Sequence, residues 1–192
     1  MRRIPVLAAI AALAAIALPA QAELLEYTAS LSGPAEEPPN ASPGTGIALV
    51  DIDTVALTVR VQASFSGLIG NVTNAHIHAA TAVPGAGTAG VATTTPTFPG
   101  FPGGGTSGAY DMTFDMTLAS SFNASYVTAN GGTVDSARAA LFSAIDTGRA
   151  YFNIHSTTFG GGEIRGFLTP VPEPTTLALF ALSGVALLAR RR

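Results

Sequence analysis

Apolar and polar residues alternate along several stretches of the chain, which is the pattern of half-buried β-strands. Alternating segments cover residues 25–31, 71–79 and 110–118, and a further strand is predicted over residues 44–51. The longest alternation puts six apolar side chains on one strand face: Val55, Leu57, Val59, Val61, Ala63 and Phe65. Because residues 51–54 separate it from the preceding strand, these two segments are expected to form a hairpin.

Two stretches depart from this period of two. Residues 134–145 repeat their apolar positions at helical spacing, and Thr133 is placed to cap the start of that helix. Residues 80–109 follow neither period and contain eight Gly and four Pro. They predict a long loop with one short strand near Val91 or Phe98. The pattern as a whole predicts a mainly β fold, an antiparallel β-sandwich or barrel with one short helix.

Charge and cysteine content exclude two classes of function. Between residues 23 and 170, four Arg stand against eleven Asp and Glu, and the chain has no Lys. A segment with a net charge of −7 is a poor partner for nucleic acid, whose binding rests on cations placed against phosphates. The chain has no Cys, which excludes disulfides, thiolate metal sites and Cys nucleophiles.

The three histidines of the chain are candidates for a metal site. His76 and His78 share one face of a predicted strand. His155 ends another strand, and Glu163 begins the next strand across a glycine turn. If these strands are neighbours, three imidazoles and a carboxylate surround a metal such as zinc or copper. The His-x-His spacing is similar to the copper-binding strand of copper/zinc superoxide dismutases, which are themselves β-sandwiches.

A structural interpretation of the same residues stays open. Imidazoles at strand ends commonly bind backbone carbonyls or carboxylates. Glu163 and Arg165, two positions apart, are expected on one strand face as an ion pair that locks the last hairpin. Glu163 is therefore a metal ligand under the first hypothesis and the ion-pair partner of Arg165 under the second.

The N-terminal end has the layout of a secretory signal peptide. Arg2 and Arg3 precede an apolar run over residues 6–18, and the small residues Ala20 and Ala22 form a cleavage signature. The run is shorter than the roughly 20 residues of a spanning helix, which favours a removed signal over a permanent anchor. We therefore expect residues 1–22 to be removed on export.

The C-terminal end contains a Pro-Glu-Pro motif, an apolar run over residues 175–189 and an arginine cluster. The motif and the cluster consist of Pro172, Glu173, Pro174, Arg190, Arg191 and Arg192. This order resembles the PEP-CTERM sorting signal of Gram-negative bacteria, so residues 171–192 are identified as that segment. The resemblance implies transient anchoring in the inner membrane and cleavage near the motif by an exosortase-type protease. It also implies release or attachment at the surface of cells that make exopolysaccharide.

Residues 23–170 are similar to the CHRD domain, named after chordin. The similarity lies in five segments, in the expected order: Leu31-Ser-Gly33 with Glu36, Glu37, Pro38 and Pro39; Gly44-x-Gly46; His76-Ile-His78; Tyr151-Phe-Asn-Ile-His155-Ser; and Gly162-Glu163-Ile-Arg165-Gly166. The long insertion after His78 departs from that pattern. The resemblance implies a recognised module without an assigned catalytic activity.

These observations lead to one expected function and one alternative. The expected function is an exported, non-catalytic protein of the cell surface or exopolysaccharide matrix, engaging polysaccharide, surface proteins or a metal ion, copper or zinc. The alternative is a metal-dependent redox enzyme of dismutase type that uses the histidine cluster.

Overall fold

A computed structural model describes residues 24–172. The predicted signal peptide over residues 1–22, including Ala20 and Ala22, lies outside the described residues, and so do the sorting residues from Glu173 onward. Within residues 24–172, no helix has the length and apolar character that crossing a membrane requires.

Eight strands of the described region form one curled antiparallel sheet, a half-barrel. In chain order they are β1 (Leu24–Ser32), β2 (Thr45–Asp53), β3 (Thr58–Ser66), β4 (Val72–Ala79), β5 (Gly108–Asp115), β6 (Ala150–Ser156), β7 (Ile164–Phe167) and β8 (Thr169–Pro170). Their order across the sheet is β4-β6-β7-β1-β2-β3-β5, and β8 also pairs with β1. The predicted mainly β, antiparallel class is confirmed.

Alternate residues of these strands build one apolar core on one face of the sheet. Two helices accompany it, α1 (Ala124–Ala129) and α2 (Val134–Asp146), and α2 packs on β4, β6 and β8. The core includes strand, loop and helix side chains, among them Leu31, Val50, Val61, Phe98, Leu141, Ile145 and Phe152. Burial of these apolar groups is the main favourable term in folding.

Helix α2 begins where the sequence predicts. The Thr133 side chain accepts a hydrogen bond from the Ser136 amide, and Ser136 returns one to the Thr133 backbone, which makes a capping box. Helix α2 is the one main helix of the predicted fold, and the short helix α1 is an addition that the sequence pattern did not predict. Its sequence signal is Asn123, whose side chain accepts from the Ser125 amide at the N-cap. Six residues are too short to show a helical period.

The hairpin of β2 and β3 is confirmed, but its turn lies later than predicted. Strand β2 continues to Asp53, and the Asp53 carboxylate accepts hydrogen bonds from the amides of Val55 and Ala56. Leu57 has a φ of 56°. Val55 and Leu57 therefore belong to the turn, and the strand face predicted to begin at Val55 begins at Val59.

The predicted loop over residues 80–109 is confirmed up to the start of β5. Val91 makes an isolated bridge to His78 in place of the expected short strand, and Phe98 is a core residue with 1% exposure. The loop runs along the outer edge of β4, where the hydroxyls of Thr93 and Thr97 accept from backbone amides of that strand. A covalently attached loop therefore covers this edge.

Gly166 is required where β7 crosses close to β1. A Cβ atom at this position would meet the Ser30 carbonyl oxygen and lie 2.9 Å from the Ser30 carbonyl carbon. Backbone atoms cannot rotate away, so Gly166→Ala is expected to lower the free energy of unfolding by about 3 kcal/mol, at the upper end of overpacking costs. Urea unfolding followed by circular dichroism measures the change.

Gly161→Ala is the matched control, because a Cβ atom there meets nothing within 4 Å. Equal stability of the two variants would contradict the assigned β1–β7 contact.

Candidate metal centre

Strands β4, β6 and β7 are buried on both faces, and the second face is polar. All seven residues of β6 are buried. Ile77 and Phe152 point to the apolar core, whereas the alternate positions carry His76, Asn153 and Arg165, aligned by the pairing of the three strands. We call this second side the polar face. Buried polar side chains require hydrogen-bond partners, and here loops supply several of them.

The polar face brings the three predicted histidines together. The ring centroids of His76 and His78 are 4.8 Å apart, and those of His76 and His155 are 4.7 Å apart. The rings offer one ligand atom each, and these three atoms lie within 4.8 Å of one another. The three residues, which we call the histidine cluster, are 6%, 8% and 9% exposed. Their neighbourhood is therefore almost dry.

Backbone carbonyls fix the orientation of two rings. His78 Nδ1 lies 2.8 Å from the Ala89 oxygen, and His155 Nδ1 lies 3.0 Å from the Gly160 oxygen. Because a carbonyl only accepts, each Nδ1 carries the hydrogen and each Nε2 keeps a lone pair. Among the described residues these Nε2 atoms have no hydrogen-bond partner, nor does His76 Nδ1. Three buried ring nitrogens are thus without a partner in the described region, and the Nε2 atoms of His78 and His155 carry lone pairs that a ligand can use.

Burial keeps the imidazoles neutral. Together with smaller effects of the neighbouring His78 and His155, burial lowers the pKa of His76 to about 3. Burial also lowers the pKa of His78 to about 4, which the bond to Ala89 opposes while His155 and Arg165 reinforce it. For His155, burial outweighs the bond to Gly160 and lowers the pKa. No proton therefore has to leave at neutral pH before these nitrogens bind a metal.

Arg165 holds the loops that cover the polar face. Its Nε donates to the Ala35 oxygen at 2.5 Å, and its Nη1 donates to the Gly87 oxygen at 3.1 Å. Its guanidinium also lies 4.7 Å from the centroid of the Tyr151 ring, which stacks on His78 at 4.7 Å with an interplanar angle of 6°. Arg165 thus fixes the loop that carries Ala89, two residues beyond Gly87.

The expected ion pair of Glu163 with Arg165 is corrected by these contacts. Arg165 lies 3.8 Å from the carboxylates of Glu36 and Glu37 instead. Glu163 precedes β7 at a bend, directly after Gly162 with a φ of 133°. The period of two that predicted one shared face therefore does not apply to Glu163 and Arg165.

Glu163 anchors other loops and does not join the histidine cluster. Its carboxylate accepts from Ser42 Oγ at 2.6 Å and from the amides of Ile69 at 2.5 Å and Gly70 at 3.1 Å. Burial alone would raise its pKa, but the hydrogen bonds from Ser156, Ser42 and the two amides outweigh burial and hold the pKa below its ordinary value. Its acceptor capacity is used by these donors.

Glu36 and Asn153 are polar-face residues to which the sequence assigned no role. Glu36 is 5% exposed, and within residues 24–172 both its Oε1 and Asn153 Oδ1 lack a hydrogen-bond partner. A Cβ atom on Gly162 would lie 2.6 Å from Glu36 Oε1 and from Asn153 Nδ2, so the two side chains converge beside this glycine. Burial raises the pKa of Glu36 to about 7 against the opposing charge of Arg165.

Comparison with known families supports the sequence resemblance. Residues 27–168 match the CHRD domain, and residues 170–192 match the PEP-CTERM protein-sorting motif. No curated protein and no solved structure matches the chain. The sorting motif implies export and processing by an exosortase-type system, with a surface or matrix location.

The pKa of Glu36 gives a pH-dependent stability. The folded-state pKa of about 7 exceeds the ordinary value of 4.5, so the folded state binds more protons and loses stability as pH rises through this window. Glu36→Gln should remove that loss and raise the free energy of unfolding by about 3 kcal/mol at pH 8, with little gain at pH 4. Urea unfolding at both pH values measures it.

Glu37→Gln is the control. Its carboxylate lies at the same distance from Arg165 but its side chain is 57% exposed, so a change below about 1 kcal/mol is expected. A Glu36→Gln protein less stable than wild type at pH 8 would show that the pair with Arg165 outweighs burial.

Proposed function

The chain belongs to the CHRD domain family. We propose that it is an exported, non-catalytic module that binds one metal ion through His76, His78 and His155. The sorting motif supports processing by an exosortase-type protease near Pro172, after transient anchoring in the inner membrane. Release or attachment then leaves the module at the cell surface or in the exopolysaccharide matrix. There it meets polysaccharide and surface proteins.

One observation carries the metal-binding part of this proposal. Three buried ring nitrogens of the histidine cluster have no partner among the described residues, although a buried unsatisfied polar atom costs about 1–3 kcal/mol. A bound ion gives all three a partner at once. Metal–nitrogen distances of about 2.0–2.1 Å require the rings to close inward slightly from their present separation of up to 4.8 Å.

The surroundings of the rings have the form of metal-binding histidines elsewhere. Such histidines commonly donate their second ring N–H to a carbonyl or carboxylate, which fixes the tautomer and raises ligand basicity. The carbonyls of Ala89 and Gly160 do this for His78 and His155. Imidazole nitrogens suit zinc and copper, so these two metals are the candidates.

Burial favours a binding role over catalysis. A dismutase-type enzyme requires a metal that a dissolved substrate reaches, whereas the three rings are at most 9% exposed. Strand β4 lies beside β6 in the sheet, so an ion held by His76, His78 and His155 links these two strands directly. We therefore assign the ion a stabilising or storage role within an exported domain.

Metal loading should stabilise the protein. Adding zinc or copper to the metal-free protein at 100 times the dissociation constant is expected to raise the free energy of unfolding by about 2.7 kcal/mol. Elemental analysis should find one ion per chain. The variants His76→Ala and His155→Ala should show neither uptake nor stabilisation, because each removes one of three ligands.

Arg60→Ala is the matched control, since Arg60 lies on β3 in an exposed pair with Asp111. It should bind metal as wild type does. Absence of stoichiometric uptake in wild type, or uptake unchanged in both histidine variants, would overturn the proposed site.

A further inference from the structure

We propose that the histidine cluster is selective for copper in its +1 state, held as three-coordinate Cu(I), in preference to Zn(II) and Cu(II). This inference rests on the proposed metal-binding function and adds the identity and charge of the ion. Four features of the polar face support it, namely the charge of the ligand set, the charge beside it, the number of ligands and the burial of the rings.

The ligand set is uncharged. The cluster offers three neutral imidazoles, and among the described residues no Asp or Glu belongs to it. The carboxylate predicted as the fourth ligand, Glu163, instead accepts from Ser42 and from the amides of Ile69 and Gly70. A bound ion therefore keeps its full charge inside the protein. That cost grows with the square of the charge, so a dication costs about four times as much as a monocation of equal radius.

A fixed positive charge lies beside the cluster. The Arg165 guanidinium lies 4.7 Å from the centroid of the Tyr151 ring, and that ring stacks on His78 at 4.7 Å. The guanidinium is held in place by the carbonyls of Ala35 and Gly87, and its carboxylate neighbours Glu36 and Glu37 are 3.8 Å away from it. Repulsion from this nearby cation disfavours a dication in the histidine cluster more than a monocation.

The ligand number also favours Cu(I). Structural zinc sites are almost always tetrahedral with four ligands, and Cu(II) prefers a tetragonal arrangement. The described region offers three ring nitrogens that converge, one fewer than a structural zinc site uses. Three imidazoles complete a trigonal Cu(I) site without an additional ligand.

Burial limits the water that could supply a fourth ligand. His76, His78 and His155 are 6%, 8% and 9% exposed. The Tyr151 ring stacks on His78, and the loops that carry Ala89 and Gly160 bind the outer nitrogens of His78 and His155. Zn(II) and Cu(II) would have to recruit water into this space, whereas three-coordinate Cu(I) does not.

Anaerobic competition on the full-length, metal-free chain in detergent tests this selectivity. Cu(I) is presented with bathocuproine disulfonate, Zn(II) with a fluorescent zinc chelator and Cu(II) with glycine, and dissociation constants are compared. We expect one Cu(I) per chain and an affinity for Cu(I) at least about 100-fold above that for Zn(II), equivalent to about 2.8 kcal/mol. X-ray absorption at the copper edge should show three nitrogens at about 2.0 Å and a three-coordinate Cu(I) pre-edge feature.

The variants His78→Asn and His155→Asn give matched tests, because the Asn amide can still donate to the Ala89 or Gly160 carbonyl while the Nε2 ligand is lost. Each variant should lower Cu(I) affinity by at least about 100-fold. Loss of a residue that only hydrogen-bonds to a metal ligand costs at most about this much. Circular dichroism verifies that the two Asn variants fold. If a variant does not fold, the competition among the three ions on the wild-type protein still tests the selectivity.

The outcomes separate the two proposals. Zn(II) or Cu(II) bound as tightly as Cu(I), with loss in the Asn variants, overturns the Cu(I) selectivity and leaves the metal site intact. Failure of all three ions to bind overturns both. Cu(I) bound equally by wild type and both variants places copper outside the histidine cluster and also overturns both.

Discussion

The burial of both faces of β4, β6 and β7 is the constraint on which this structure depends. An antiparallel sheet with one solvent-exposed face can place its polar side chains in water. Here the second face is covered, and Asn153 and Arg165 are no more than 3% exposed. Their polar groups must therefore be satisfied by protein. Loops before β2, after β4 and after β6 supply most of the required donors and acceptors. Within residues 24–172, one nitrogen of each ring in the histidine cluster is left without a partner.

Two charged side chains organise these loops at separate points. Arg165 donates to the backbone carbonyls of Ala35 and Gly87 and so holds their loops on the polar face. Glu163, at the bend before β7, accepts from Ser42 and from the amides of Ile69 and Gly70. Each charge thus serves chain segments far away in sequence. Removing one partner of a buried charged group leaves the other uncompensated. The histidine cluster and the loops around it are therefore expected to lose stability together.

The sequence predicted the strands and the shared face of His76 and His78, because a period of two is a local property. It left open whether the strand of His155 lies beside them, because the pairing of β4 with β6 joins segments far apart in the chain. It could not indicate that Glu163 turns away, since that follows from the bend after Gly162. Nor could it identify the Ala89 carbonyl as the partner of His78, because every residue has a carbonyl and a loop without a period gives no register.

The loop along β4 protects the edge of the sheet against pairing with a second chain. An uncovered edge strand presents amides and carbonyls on which a second chain can add a strand, which leads to aggregation. In this fold the hydroxyls of Thr93 and Thr97 occupy the amides of Ile77 and Ala75, and the backbones of Ala92 and Phe98 bind the matching carbonyls. The glycine- and proline-rich insertion therefore acts as an attached substitute strand that blocks intermolecular pairing along the β4 edge.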